Sequence, residues 1–304
     1  MNALVRAYRE TRKRLRPVRA AWRDAQGSAL RLRTAYAWLT PRPAPRAHGL
    51  PRPLIVSLTS YPPRFATLAP TLHCLLMQDM RADRVVLWVA HADLPLLPGE
   101  VRALQSAGLQ IETCDDTGSY KKLVPALERW PEAFIATADD DVFYPRTWLR
   151  ELVAGYDAST RTIPCHRAHE IVLDQNAKPA PYARWAFEAK TRTASALTFP
   201  TGVGGVLYPP GALHPDVTRA ALFTELAPTS DDAWFYMMAR RQGWRFHRIS
   251  ARRFVSWPRS QAAALQHANV AGANDAQIAR LVATFGFPPT ATDDAPIPEE
   301  AHAW

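Results

Sequence analysis

Phe134-Ile135-Ala136-Thr137-Ala138-Asp139-Asp140-Asp141-Val142 decides how this chain is read: a short apolar run that ends in three consecutive carboxylates. Pro131 precedes the run and Tyr144-Pro145 follow it, so it is too short for an average helix and reads as a buried strand. Carboxylates this close repel one another. A divalent cation resolves the conflict, because hard oxygen ligands suit Mg²⁺ or Mn²⁺. Alternate side chains of an extended backbone lie on the same side. Asp139 and Asp141 can therefore converge on one metal while Asp140 points elsewhere. The competing reading is a solvated acidic turn.

Upstream, strands and helices alternate. Residues 53–58 read as a first strand, Arg84–Val89 as a second and Leu109–Glu112 as a third, with 134–138 as the fourth. Between them lie helical patterns from about Phe65 to Gln78, from Pro98 to Ala107 and from Tyr120 to Arg129. Such alternation predicts an α/β fold with a mainly parallel sheet covered by helices on its faces. Ligands of such sheets bind beyond the carboxyl ends of the strands. Ser57-Leu58-Thr59-Ser60-Tyr61 and the Asp triplet both fall on that edge, so nucleotide and metal are expected to share one crevice.

Downstream the pattern is less regular. Thr201-Gly202-Val203-Gly204-Gly205-Val206 concentrates glycines beside an apolar strand without the ending of a phosphate loop. Either a backbone approaches a ligand there, or the chain makes a tight turn or bulge. Ser230-Asp231-Asp232 opens a helical run, and one acid or Ser230 suffices to cap it. A second adjacent acid exceeds what capping requires.

In this order the motifs 57–64, 118–123, 139–145, 202–205 and 231–234 resemble nucleotide-sugar-dependent glycosyltransferases of the GT-A fold. Bacterial enzymes that build surface polysaccharides are the nearest in kind. The resemblance covers about residues 50–280, the body without its N-terminal arm. The exostosin-like transferases look similar in the same region, with a triple Asp, a basic segment like His166-Arg167-Ala168-His169 and a later acidic pair. The resemblance implies a metal, Mn²⁺ or Mg²⁺, on Asp139 and Asp141 that neutralises the departing nucleoside diphosphate. Thr59, Tyr61, Arg64, Lys121, Lys122 and Asp140 then bind the donor, a UDP-sugar. Asp232, with Asp231 second, deprotonates the hydroxyl of a glycan or lipid-linked glycan acceptor. The acidic pair points to inversion of the sugar's configuration, the exostosin-like likeness to retention. Trp185 and Trp234 read as core residues or as sugar platforms. His166, His169 and His247 read as structural histidines or as further metal ligands.

The chain has 304 residues and a formal charge of +9, yet residues 1–46 alone carry 12 Lys/Arg against 2 Asp/Glu. The body is therefore nearly neutral, and no nucleic-acid partner is expected. In the arm, Leu4, Tyr8, Leu15, Val18 and Trp22 share one face of a basic amphipathic helix. Pro17 is expected to kink it or to start a second segment. Leu30, Leu32, Tyr36, Trp38 and Leu39 follow, then a Pro-rich spacer at 41–45. A basic helix bearing Trp and Leu suits an anionic membrane surface; docking onto the body, a protein partner and phosphate-backbone binding are the alternatives. The expected organisation is an arm and linker (1–46), a transferase domain (47–285) and a tail (286–304). With no continuous apolar signal segment, no membrane-spanning run and three cysteines without metal spacing, the expected location is cytoplasmic, at the inner face of the membrane. Two other readings compete. An aspartyl-phosphate phosphohydrolase also carries Asp-x-Asp after a strand, but near its domain's start and with Thr or Val where Phe143 stands. A non-catalytic module would act through the basic arm alone.

Overall fold

The computed structural model describes residues 16–256 and 274–289. Strands β1 (Leu54–Thr59), β2 (Arg84–Ala90), β3 (Leu109–Cys114) and β4 (Phe134–Ala138) form where the apolar runs predict them. They belong to a seven-stranded sheet completed by β6 (Thr162–Cys165), β9 (Val206–Tyr208) and β10 (Arg245–Arg248), in the order β10-β6-β9-β4-β1-β2-β3. β1 pairs in parallel with β2 and β4, β2 with β3, and β10 with β6. Only β9 runs against its neighbours, β4 and β6. The fold is α/β with a mixed, mainly parallel sheet. Two small ribbons flank it: β5 (Val142–Phe143) with β11 (Val255–Ser256), and β7 (Ala168–Glu170) with β8 (Thr198–Pro200).

Both faces of the sheet are covered, as parallel strands require. Along β1, Leu54, Val56 and Leu58 join one core with Leu68, Leu72 and Leu75 of α2 (Leu68–Leu76) and Trp148 and Leu152 of α4 (Trp148–Ala154). Ile55 faces the other core. There α3 (Val124–Arg129), α5 (Ala220–Leu226), α6 (Asp231–Arg241) and α7 (Asn274–Phe285) contribute Val124, Phe223, Trp234, Phe235 and Leu281.

Two expected helices are broken near prolines. Instead of one helix over 65–78, a turn at Pro62–Phe65 precedes α2. Pro70 lacks an N–H and would clash with the carbonyl four residues back, so it belongs in the first turn of a helix that starts at Leu68. Pro125 does the same to the segment 120–129: a 3₁₀ turn, Gly118–Lys122, precedes α3. That turn fixes the position of Lys122.

The helix α1 (Arg16–Leu39) is continuous over its described length, and Pro17 is its second described residue; what precedes Arg16 lies outside the described residues. Its inner face is docked on the body. Gly27 and Thr34 are buried, Leu30 and Trp38 pack on the α2 side of the core, and Trp38 stacks on His73 at 4.3 Å. The outer face leaves Leu32, Tyr36 and Leu39 exposed at 74%, 73% and 82%. Leu4, Tyr8 and Leu15, the side chains of Val18 and Trp22, and the tail from residue 290 lie outside the described residues. Among the described residues no helix is long and apolar enough to cross a membrane, and Cys74, Cys114 and Cys165 are free thiols.

Candidate active site

Two acidic segments 90 residues apart meet at the carboxyl edge of the sheet, and Lys122 stands between them. Its ammonium lies 2.9 Å from Asp231 Oδ2 and 3.4 Å from Asp139 Oδ1. Only 7% of Lys122 is exposed. Burial works against its charge, but Asp231, Asp139 and Asp232 outweigh it and hold its pKa well above the ordinary lysine value. The backbone is anchored as well: Ser57 Oγ of β1 donates to the Lys122 carbonyl at 2.7 Å, and Trp88 Nε1 donates to the same Ser57 at 3.0 Å.

Asp231 and Asp232 open α6, where free amides and the helix dipole favour negative charge. Asp232 accepts a hydrogen bond from the Gly202 amide at 3.0 Å. Burial, then the neighbouring Asp231, push its carboxyl up to about 7 against the pull of Lys122. The glycine at 202 is needed here: a Cβ would stand 2.5 Å from Lys122 Nζ and 3.1 Å from Asp232 Oδ1. At Gly205, with φ +95°, a Cβ would meet Trp148 at 2.7 Å. What the glycine run brings close is the protein's own side chains.

The Asp triplet is split between two cations. Asp139 faces Lys122, and its amide donates to the Tyr144 hydroxyl at 2.8 Å. Asp140 accepts from Arg64 Nη1 at 2.5 Å and from Ser60 Oγ at 2.6 Å. Asp141 lies 3.4 Å from the same Arg64 nitrogen. Burial raises the Asp140 pKa despite Arg64 and Ser60; it also works against the Arg64 charge, which Asp140 and Asp141 hold on the guanidinium. Five carboxylates thus share Lys122 and Arg64, an excess of three negative charges when all are ionised.

That excess and the all-oxygen donor set fit a hard divalent cation, which commonly uses one or two carboxylates and completes its shell with substrate phosphates and water. Among the described residues no group of three or more His, Cys, Asp or Glu is placed to hold a metal by itself. His166 is fully buried between Ser250 Oγ and the Trp148 carbonyl, and His169 accepts from the Glu188 amide.

The other expected residues divide. Tyr61 lies under the Arg64 guanidinium at 5.8 Å. Thr59 donates to the Trp88 carbonyl at 2.9 Å. Lys121 is turned away to an ion pair with Asp116 and is not brought to the cluster. Trp234 and Trp185 are buried, donating to the Val217 and Ala180 carbonyls. Sequence reasoning placed Ser57, Ser60 and Tyr144 within its motifs without giving them a task and missed Trp88; these residues position the charged groups. Ser57 and Ser60 carry a signal in their spacing at the end of β1; Trp88 and Tyr144 carry none.

No protein-family model and no curated protein matches the chain. Solved structures similar to it include the mannosyltransferase PcManGT from Pyrobaculum calidifontis in complex with GDP-Man and Mn²⁺, at 15% identity and TM-score 0.41, covering 76% of this chain and 66% of that one. S. aureus TarS 1–349 in complex with UDP is similar at 14% identity and TM-score 0.40, covering 66% of this chain and 59% of that one. The inositol-1-phosphate CTP transferase from T. maritima is similar at 10% identity and TM-score 0.40, covering 79% and 98%.

Proposed function

We propose that the chain is a GT-A type glycosyltransferase that moves a sugar from a nucleotide-sugar donor, a UDP-sugar, to a hydroxyl of a glycan or lipid-linked glycan in cell-surface polysaccharide synthesis. The observation that carries this reading is the meeting of Asp139–Asp141 with Asp231-Asp232 around Lys122 at the carboxyl edge of a mainly parallel sheet. Such an edge is where an α/β sheet receives a nucleotide. Lys122 joins the two acidic groups, but Arg64 pairs with the first alone and the Gly202 amide with the second alone, so they suit separate tasks.

Asp139 and Asp141 would hold Mn²⁺ or Mg²⁺, which when bound supplies charge neutralisation to the departing nucleoside diphosphate. Lys122 and Arg64 stand beside them and offset the phosphate charge that the metal leaves. Asp140, tied to Arg64 and Ser60, orients the guanidinium. Asp232 takes the proton of the acceptor hydroxyl as that oxygen attacks the sugar's anomeric carbon. A carboxyl pushed up to about 7 is a better proton acceptor than one at the usual carboxylate value, because a general base works best near the operating pH. The Gly202 amide fixes which Asp232 oxygen remains free. A base on the face opposite the leaving group implies inversion.

The docked helix α1 is the element that would carry the membrane association. Its exposed Leu32, Tyr36 and Leu39 recur at i, i+4 and i+7, on a helix preceded by an Arg-rich segment. Such a helix lies in the interface of an anionic bilayer with its apolar face down. The body would then rest at the inner face of the membrane, beside a lipid-linked acceptor.

The decisive experiment is a donor screen for sugar-nucleotide turnover with and without Mn²⁺ or Mg²⁺. Metal-dependent release of a nucleoside diphosphate from one donor is expected. Absence of turnover, together with no thermal shift from any nucleoside diphosphate plus metal, contradicts the reading, since a ligand that binds only the folded state must stabilise it.

A further inference from the structure

Arg248, the last residue of β10, is a buried cation without a counter-charge. Only 7% of it is exposed. Its guanidinium donates to the carbonyls of Glu188 and Ala189, and its Nε has no partner. Among the described residues no carboxylate lies within ion-pair distance of it. Buried charges are paired as a rule, because desolvation of an isolated one is costly.

Arg248 forms part of the wall of a cleft of about 800 Å³, together with His247, Ser250, Arg252, Arg192 and Glu151. Three arginines and one carboxylate line it. Glu151 is already taken by Arg252 at 2.6 Å, so Arg192 and Arg248 are left unbalanced. His247 Nδ1 is likewise buried without a partner.

The cleft is linked to the proposed base by a chain of contacts. Glu188, whose carbonyl receives Arg248, lies 3.8 Å through its carboxylate from Arg167 Nε. Arg167 donates to Thr201 Oγ1 at 3.1 Å, next to the Gly202 that holds Asp232. Glu188 adopts φ +55°, a left-handed backbone costly for a residue with a side chain. That conformation sets its carbonyl toward one arginine and its carboxylate toward the other. β10 is three places from β4 in the sheet, about 14 Å at the usual strand spacing. An extended glycan can bridge that distance.

We propose that this cleft binds an anionic group of the acceptor, a carboxylate or a phosphate carried by the glycan a few units away from the hydroxyl that reacts. The inference rests on the transferase reading for the word acceptor; the anion site itself stands on Arg248, Arg192 and the cleft. Phosphate and carboxylate share the chemistry that recognises them here, charge-assisted hydrogen bonds to guanidinium.

The test measures binding of three labelled oligomers to the full chain: hexagalacturonate, a glycerol-phosphate hexamer and neutral maltohexaose. One or both anionic oligomers should bind, more weakly at high salt, and maltohexaose should not. The stronger of the two identifies the anion. Arg192→Glu, an exposed position, should weaken that binding about tenfold or more, as loss of a charge-assisted contact predicts. Arg252→Gln should weaken it in the same direction. A chain with Arg6, Arg9, Arg12 and Arg14 changed to Gln should bind the anion as the parent does, since the basic arm is a separate attraction.

Equal binding of maltohexaose, undiminished binding by Arg192→Glu, or loss of binding in the arm variant instead overturns the proposal. Thermal stabilisation by UDP with Mn²⁺, measured on the same proteins, should be unchanged by Arg192→Glu. Its absence from the parent chain would sink the transferase reading and leave the anion site standing.

Discussion

Asp141 and Asp232 are carboxylates at the same sheet edge, yet their surroundings suit them to different tasks in the proposed reaction. Asp141 shares Arg64 with Asp140, while Asp232 is held by the Gly202 amide among Asp231 and Lys122. Asp141→Ala should therefore abolish transfer and weaken metal-dependent nucleotide binding together. Asp232→Asn should keep nucleotide–metal binding near normal and lower turnover by about 10²–10⁴-fold, the usual worth of a general base. Loss of nucleotide affinity in Asp232→Asn equal to that in Asp141→Ala would refute the division. Gly202→Ala is a sharper probe of geometry, because its Cβ would fall 2.5 Å from Lys122 Nζ. Turnover should fall while the far-ultraviolet circular dichroism stays that of the parent, since the lysine's flexible end can yield without disturbing a strand. Much of this site is legible in the sequence, because charge clustering is visible there: the triplet, the later pair and the Lys121-Lys122 run all stand out. The rest is not. Lys121 and Lys122 look equivalent in a run, and only the 3₁₀ turn before Pro125 sends one to Asp116 and the other to the acidic cluster.

At the scale of elements, β1, β2 and β4 could be read because a strand covered on both faces is a nearly continuous apolar run, whereas β3, at the sheet's edge, shows the alternation of Leu109 and Ile111 with polar residues. The later strands could not: β6 to β10 are only three or four residues long, too short for a period to declare itself. The helix α1 shows a different limit. Its sequence is apolar on more than one side, and only packing reveals which side the body takes. Thr34, Leu30 and Trp38 go inward, whereas Leu32, Tyr36 and Leu39 stay out. The two faces should respond differently. Trp38→Ala removes the stack on His73 and should destabilise the fold by about 1–2 kcal/mol, as loss of a half-buried aromatic contact does; thermal denaturation reads this. The triple change of Leu32, Tyr36 and Leu39 to Ser should leave the melting temperature nearly unaltered and reduce co-sedimentation with phosphatidylserine vesicles. Full vesicle binding by the triple variant would show that the outer stripe is not the membrane face.

For the molecule as a whole, the acidic edge sets stability against activity through one titration. Burial first, and then Asp231, push the Asp232 carboxyl up to about 7 in the folded chain, with Lys122 opposing. In the unfolded chain an Asp titrates near about 4. The folded state therefore holds this proton more tightly than the unfolded one. Its contribution to stability is full below about pH 4 and is lost as the pH rises to about 7. Without metal or nucleotide, the parent should melt progressively lower than Asp232→Asn as the pH is raised across that window, because Asn cannot ionise. Parallel melting curves for the two proteins would show that Asp232 is not held protonated by the fold. Turnover moves the opposite way. A base must be ionised to accept a proton, so the rate should climb with pH through the range in which the fold loses this support. Lys122→Met removes the cation that pulls the Asp232 pKa down, so the rising limb of any remaining activity should move to higher pH. A limb that stays in place or moves to lower pH would separate Lys122 from the base. A limb that moves to higher pH means that the lysine joining the two acidic segments serves two ends: it limits the instability of a buried acidic cluster, and it keeps the base available near neutrality.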